Sequence, residues 1–423
     1  MGCQLAVTDA VEDRAAAGVA CLVCGAAGVE EFLDLGETAL ANNFLTERQL
    51  LRPERKFPLR AGFCRDCHHV QLLDRVPPRA MFDNYLYVSA ASSTLREHLQ
   101  SLAATIAERC RLGSADLVVD IGSNDGTLLA GFARSGARTL GVDPAANLAA
   151  IARQAGVETV TSYFSEETAR RLLGEHGPAA VITATNSFPH IPDLDDYLRG
   201  IDALLAPEGS LVIEAHYLGD LLEQTAFDTV YHEHVSYWAL GPAERLFARH
   251  GFQVVHVRRL PLHHGQLRLW VRRRGVTAAA AAVGELRAAE RRTGLDRIET
   301  FRRFADRAGA LRRELKLVLS GLRAQGLRIA GYGAPAKGNT LLAYLNLGPS
   351  ILDYIADRST LKHGRYTPGT HIPVVAAERI LEDQPDYVLL LAWNFAEEIM
   401  KQLEAYRSRG GRFILPVPRV EIV

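Results

Sequence analysis

Four cysteines stand in two Cys-x-x-Cys pairs, Cys21/Cys24 and Cys64/Cys67, and far downstream a run of Tyr231-His232-Glu233-His234-Val235-Ser236-Tyr237-Trp238 gathers groups that move protons. A Cys-x-x-Cys turn brings two sulfurs to one ion, and two such turns complete a tetrahedral shell with no position left for water. The chemistry implied is a structural Zn²⁺, with a redox dithiol or an iron–sulfur cluster as the alternatives. His68 and His69 follow Cys67 directly and offer substitute ligands, with solvent-facing or second-shell positions as the expectation. Cys3 and Cys110 are left over and read as free thiols that fill space.

Imidazole is the natural base near neutral pH, so the histidine-rich run reads as a site of proton abstraction. In an extended segment His232 and His234 point one way and Glu233 the other. A metal site built from the same residues is the alternative. Upstream, Asn186-Ser187-Phe188-Pro189-His190 sets another imidazole just past a strand end, where doubly wound folds hold their ligands.

Two glycine loops accompany these groups. In the first, Val118-Val119-Asp120-Ile121-Gly122-Ser123-Asn124-Asp125-Gly126-Thr127, the residues Gly122 and Gly126 let the backbone pass close to a ligand ahead of a helix. The dinucleotide fingerprint fails, because position 124 is Asn and position 127 is Thr. Asp143 ends the next strand, where an acid accepts the ribose hydroxyls of a nucleoside. S-adenosylmethionine, which has no pyrophosphate, therefore fits better than NAD, and Asn186 is expected beside its methionine part. In the second loop, Gly331-x-Gly333-x-x-Ala336 follows a strand, Pro335 suits a first helical turn, and Asp357 follows the next strand. That loop is an anion cradle of backbone N–H groups, and NAD is one candidate for it.

At 423 residues the chain is too long for one core, so two or three domains are expected. With 48% hydrophobic and 23% charged residues it is an ordinary globular composition, and a net charge of -1 from 48 basic and 49 acidic residues argues against nucleic acid or an anionic membrane as partner. The start, Met1 to Ala20, lacks the basic flank and apolar run of a signal peptide, and no apolar stretch spans a bilayer; a cytoplasmic location is the expectation. The oligomeric state is left open.

The elements that must position these groups fall into three blocks. Residues 1–87 resemble short strands and turns around a metal, too small a region to fold well without a staple. Residues 88–275 open with a helical stretch, Leu95 to Cys110, and then alternate strands and helices. Strands are expected at Leu117 to Ile121, Thr139 to Val142, Ala180 to Thr183 and Ser210 to Glu214, with Phe252 to Leu260 and Leu267 to Val271 closing a parallel, doubly wound sheet. Residues 276–423 begin with one or two long connector helices, Val276 to Gln325, whose charges read as solvated faces. A second alternation follows, with strands at Arg328 to Gly331, Ile351 to Ala356, Tyr387 to Ala392 and Phe413 to Pro416. The fold class is thus α/β: an N-terminal zinc-binding domain, a central Rossmann-like domain that carries the first glycine loop and a C-terminal Rossmann-like α/β domain.

Taken together, the two Cys-x-x-Cys pairs, the Asp-Ile-Gly-Ser-Asn-Asp-Gly-Thr loop, the Tyr-His-Glu-His-Val-Ser-Tyr run and the late Gly-Tyr-Gly-Ala-Pro-Ala-Lys-Gly-Asn-Thr run resemble the sugar C-methyltransferases of deoxysugar biosynthesis. The likeness spans roughly Cys21 to Pro416. It implies S-adenosylmethionine-dependent C3 methylation of a nucleotide-linked, usually dTDP, 4-keto-hexose. It also implies a base at His234, with Glu233, Tyr231 and His190 nearby and Tyr85 supplied from the end of the zinc domain. The second loop then cradles the sugar nucleotide's pyrophosphate, with Gly333, Lys337 and Asn339 in contact and Lys362, Tyr366 and the Pro368-Gly369-Thr370 turn close by. One departure stands out: where the family often has a His-Gly-Gly-Ser-like run, this chain reads His263-His264-Gly265-Gln266. The rival classes are an NAD-dependent oxidoreductase and, outside small-molecule catalysis, a zinc-containing binding module or an RNA-modifying methyltransferase.

Overall fold

The computed structural model describes residues 19–83, 85, 88–91, 93–262 and 265–423; Cys3, His263 and His264 lie outside them. The N-terminal sheet is an antiparallel meander of β1 (Val29–Thr38), β2 (Phe57–Cys64) and β3 (Val70–Leu72). β1 and β2 are longer than the short pieces the sequence suggested, whereas β3 is as short as expected. Leu33 and Leu35 of β1 alternate inward while their neighbours face solvent, the period of a half-buried strand.

The second sheet holds β4 (Leu117–Ile121), β5 (Arg138–Asp143), β6 (Thr159–Thr161), β7 (Ala179–Thr185) and β8 (Leu205–His216), all parallel. Every residue of β4 is buried, as a central strand covered on both faces requires. The chain next forms β9 (Ser236–Tyr237), then β10 (Phe252–Leu260) and β11 (Gln266–Arg273), an antiparallel pair that completes the order β10-β11-β8-β7-β4-β5-β6. The third sheet is parallel through β12 (Ile329–Tyr332), β13 (Ile355–Asp357), β14 (Val374–Ala376), β15 (Tyr387–Leu390) and β16 (Arg412–Leu415). The antiparallel β17 (Glu421–Ile422) closes it in the order β14-β13-β12-β15-β16-β17.

The sheets are not independent. Strand β9, from the histidine-rich stretch, pairs with β3 and becomes the fourth strand of the N-terminal sheet. His69 is fully buried beside it, its Nε2 3.2 Å from Ser236 Oγ and its ring 4.9 Å from Trp238, and burial drives its pKa down to about 3. His69 does not face solvent: its ring is a core group that joins two parts of the chain, while its backbone N–H backs the Cys67 sulfur as a donor. His68 packs on Phe63 instead, with its backbone in the left-handed region at φ 63°.

The connector also differs from expectation. Helices Ala281–Thr293 and Ile298–Ala324 break at Gly294, whose φ of 73° makes it a left-handed cap. Ile298, Phe301, Phe304, Ala308, Leu311, Leu315, Leu319 and Leu322 recur at helical spacing and are buried. Phe301 lies 4.8 Å from Phe63 and 5.2 Å from Phe32, so the helix packs on the N-terminal sheet. Nor are all its charges solvated. Glu290 is buried and accepts from Leu240 N at 2.7 Å and Gly241 N at 3.1 Å, placing an anion at the N-terminus of helix Leu240–Arg249.

The four cysteine sulfurs lie within 4.8 Å of one another, with Cys21 to Cys67 at 3.4 Å and Cys24 to Cys64 at 3.6 Å. Four thiolates on one Zn²⁺ stand about 3.8 Å apart, from Zn–S distances of about 2.3 Å. The hydrogen bond from Cys67 draws Cys21 down to about 5, while burial holds Cys64 up at about 11 and the bond to Cys21 keeps Cys67 higher still. Sulfurs this close ionise together only around a cation, so the donor set fits zinc. Cys110 is half-buried, its thiol pushed up by burial, against a separate core beneath the central sheet. Among the described residues no helix is long and apolar enough to cross a membrane.

Elemental analysis of the purified chain is expected to find one zinc per molecule, and Cys64→Ser to lose it together with a lower melting temperature. Phe301→Ala, which empties an aromatic contact shared by two layers, is expected to cost about 3–5 kcal/mol, measured as a drop in the first thermal transition.

Candidate active site

The first glycine loop turns sharply off the end of β4. Gly122 has φ 75°, and a side chain there would bring its Cβ within 2.5 Å of the Ser187 Cβ, so only glycine allows the close approach. Asp120 behind the loop is buried, accepts from Thr183 Oγ1 at 2.6 Å and is pushed up to about 7 by burial. At the end of β5, Asp143 accepts from Asn124 N and Ala145 N, each at 2.8 Å, and burial again raises its pKa. Asn186, at φ 59° past β7, accepts from Gln266 Nε2 at 2.7 Å, which gives the residue at the family departure a role in holding the loop.

Asp120, Gly122, Asn124, Asp143 and Asn186 all line one cavity of about 690 Å³. Gly126 is set just behind them, starting helix Thr127–Ala130. A nucleoside that carries a methyl sulfonium fits this set: a carboxylate for its ribose at the end of β5, close backbone at Gly122, and no pyrophosphate fingerprint.

The histidine-rich run is a turn, not an extended strand, since His234 N donates to Tyr231 O at 2.9 Å. His232 and His234 therefore do not share a face, as extended geometry had implied. His232 turns to the N-terminal sheet, its Nε2 3.1 Å from Pro58 O. His234 faces the cavity. Its Nδ1 lies 2.9 Å from the Thr229 carbonyl and its Nε2 2.9 Å from Tyr231 Oη. A carbonyl only accepts, so Nδ1 carries the proton and the Nε2 lone pair takes the Tyr231 hydroxyl. Burial lowers the His234 pKa to about 4, so the ring is neutral at physiological pH.

Around His234 stand His190 and His216, each with its ring centroid 5.2 Å away, and Tyr231 at 4.1 Å. His190 stacks on Phe82 of the N-terminal block at 5.1 Å, and burial depresses its pKa strongly. Glu233 is buried to 3% exposure. It accepts from Tyr85 Oη at 2.7 Å and from Asn42 Nδ2 at 2.8 Å, and burial pushes it up to about 7. Tyr85 and Asn42 line the cavity.

The second loop closes the far side. Gly333, Lys337, Asp357, Lys362 and Asn394 line the cavity. Lys362 Nζ donates to Ala334 O at 2.8 Å, and the Asp357 carboxylate accepts from Ala334 N at 2.6 Å and Ser359 N at 2.7 Å. Lys337 donates to Asn394 Oδ1 and sits 4.4 Å over the Trp393 ring. Burial lowers its pKa to about 7, opposed by the charge of buried Asp228, itself bonded to Trp393 Nε1 at 2.7 Å. Two expected substrate contacts lie elsewhere. Asn339 is buried and donates to Ala41 O at 2.7 Å, and Tyr366 bridges backbone to Leu45 and Pro373, so both join the C-terminal block to its neighbours rather than line the cavity.

Sequence reasoning missed Asn42, His216, Asp228 and Asn394. His216 alone carried a signal, at the end of a predicted parallel strand. Asn42 and Asn394 reach the cavity from segments of other blocks, and Asp228 stays buried behind it, bonded to Trp393.

Models of known families match this chain in three consecutive stretches: a zinc binding domain over residues 21–82, a methyltransferase domain over 93–257 and a C-methyltransferase C-terminal domain over 261–418. The C-methyltransferase NovU of Streptomyces niveus is 38% identical over 408 residues, covering 95% of this chain and 96% of its own length. Solved structures similar over part of the chain include the magnesium protoporphyrin IX methyltransferase ChlM of Synechocystis PCC 6803 with bound SAM. It is 16% identical, covers 42% of this chain and 79% of its own, and has a TM-score of 0.31. The mitomycin 7-O-methyltransferase MmcR is 19% identical, covers 44% of this chain and 55% of its own, and has a TM-score of 0.34. With a close relative along nearly its whole length and matching family models from end to end, this chain belongs to the C-methyltransferase family.

Proposed function

We propose that the chain methylates C3 of a nucleotide-linked 4-keto-deoxyhexose, the dTDP-sugar the sequence resemblance implies, with His234 as base. The observation that carries this reading is that one cavity is lined by the first glycine loop, by the His234 imidazole and by Lys337 and Lys362 of the C-terminal block. Membership of the C-methyltransferase family supports methyl transfer over the oxidoreductase and non-catalytic binding-module readings.

A ketone at C4 acidifies the adjacent C–H. The Nε2 lone pair of His234 takes that proton, displacing the Tyr231 hydroxyl, while Nδ1–H stays on the Thr229 carbonyl and steadies the imidazolium. Burial makes this imidazole a weak base, so the enolate needs help from stabilisation of its oxygen. Tyr85 supplies it. With Glu233 protonated and donating to the Tyr85 oxygen, the phenol's own hydrogen is free to meet the C4 oxyanion, in a site where such a donor counts for most. Asp143 and the first loop would hold S-adenosylmethionine, which would supply an electrophilic methyl group to the substrate carbon. Lys337, Lys362 and the Gly333 backbone would bind the diphosphate, whose charge draws Lys337 back to its protonated form.

His234→Asn is expected to lower kcat by about 10²–10⁴-fold with cofactor affinity kept, and to abolish deuterium incorporation beside the ketone in heavy water. Full exchange and turnover in that variant would remove His234 as base. The pH dependence follows from Glu233, which is protonated below about 7 and charged above it. Activity is expected to fall on the alkaline side with that midpoint, and Glu233→Gln, a neutral donor of the same shape, to erase the fall; an unchanged profile counts against the Glu233-to-Tyr85 relay.

A further inference from the structure

The segment leaving the N-terminal sheet passes across the ends of three adjacent parallel strands, and the loop after each strand fastens it. After β4, Asn124 Oδ1 accepts from Ser89 N at 3.0 Å and Asp125 Oδ2 from Ala90 N at 2.7 Å. After β6, Tyr163 Oη donates to Asp83 Oδ1 at 2.9 Å. Between them, in the first turn of helix Ala146–Gln154 after β5, Asn147 grips one residue at both backbone groups: its Nδ2 donates to Tyr85 O at 2.8 Å and its Oδ1 accepts from Tyr85 N at 3.3 Å. A carboxamide carries a donor and an acceptor side by side, so it reads a peptide's N–H and C=O together. The residue it grips is the one whose phenol lies 2.7 Å from Glu233.

We propose that Asn147 is a positioning residue for the methyl transfer, holding the Tyr85 backbone so that its phenol meets both Glu233 and the substrate oxygen. The proposal rests on the reading of Tyr85 given above. Asn147 is not among the residues that line the cavity and acts through Tyr85. Its helix begins beside Asp143, whose carboxylate binds Ala145 N, so the ribose acid and the clamp share one rigid turn. The same turn therefore places the methyl donor and the oxyanion donor relative to each other, and small errors in such placement cost large factors in rate.

The test is a four-way comparison of wild type, Tyr85→Phe, Asn147→Ala and the double variant, with kcat, the pH profile and cofactor affinity by calorimetry. Asn147→Ala is expected to lower kcat roughly tenfold or more with cofactor affinity unchanged within about twofold. The Tyr85 hydrogen bond lowers the Glu233 pKa, so loosening it is expected to move the alkaline limb to higher pH. In the Tyr85→Phe background the Asn147 change is expected to add no further loss. Unchanged kcat in Asn147→Ala, an equal loss in the Tyr85→Phe background, or a loss confined to cofactor affinity would each overturn the proposal. Full turnover in Tyr85→Phe alone would instead sink the role of Tyr85, and the clamp's catalytic meaning with it, so the two failures are distinguishable.

Discussion

Desolvation at a three-way junction governs this molecule. Glu233 and His234 are neighbours in one turn and Lys337 comes from the C-terminal block, and burial moves each toward its uncharged form: the acid up to about 7, the imidazole down to about 4, the amine down to about 7. A charge withdrawn from water is expensive, and only partial compensation is offered by Tyr85, the Thr229 carbonyl and Asp228. The resting site is therefore nearly neutral and ready to receive charge from what it binds. Interactions between opposite charges or with fixed donors are stronger in such surroundings than at a wet surface.

That environment exists only because the blocks interlock. Strand β9 leaves the central block to finish the N-terminal sheet, and the residues immediately before it are the turn that carries His234, so the sheet that holds the cysteine cluster also anchors that turn. Asn339 binds Ala41, next to the Asn42 that touches Glu233, and Trp393 binds Asp228, next to the Thr229 that orients His234. Each join lies one residue from a group in the site. The stretch matched by the zinc binding domain model is thus part of the cavity wall, through Asn42, Pro78, Arg79 and Phe82.

Much of this was legible along the chain. The parallel strands were visible as buried apolar runs between amphipathic segments, and β4, β10 and β11 contain the residues expected of them. The cysteine pairs specify their metal by local spacing alone. Less legible were the short β6 and β14, each three residues long, too brief to show a period. The connector's charges looked uniformly solvated because helical periodicity describes one helix at a time; it cannot see that Glu290 meets the start of another helix.

What the sequence determines by itself is what depends on near neighbours: the metal knuckles, glycine loops at strand ends, the alternation that makes two doubly wound sheets, and the residue types of a proton-abstracting site. Tertiary structure alone decided the orientation of those residues. His232 and His234 part company because a turn, not a strand, carries them, and His69 is a core residue because β9 arrives beside it from 167 positions away. Asn42, Asn147 and Asp228 matter through partners 191, 62 and 165 positions distant. Hydrogen bonds and desolvation act through space over a few ångströms, so separations that long along the chain leave no local pattern to read.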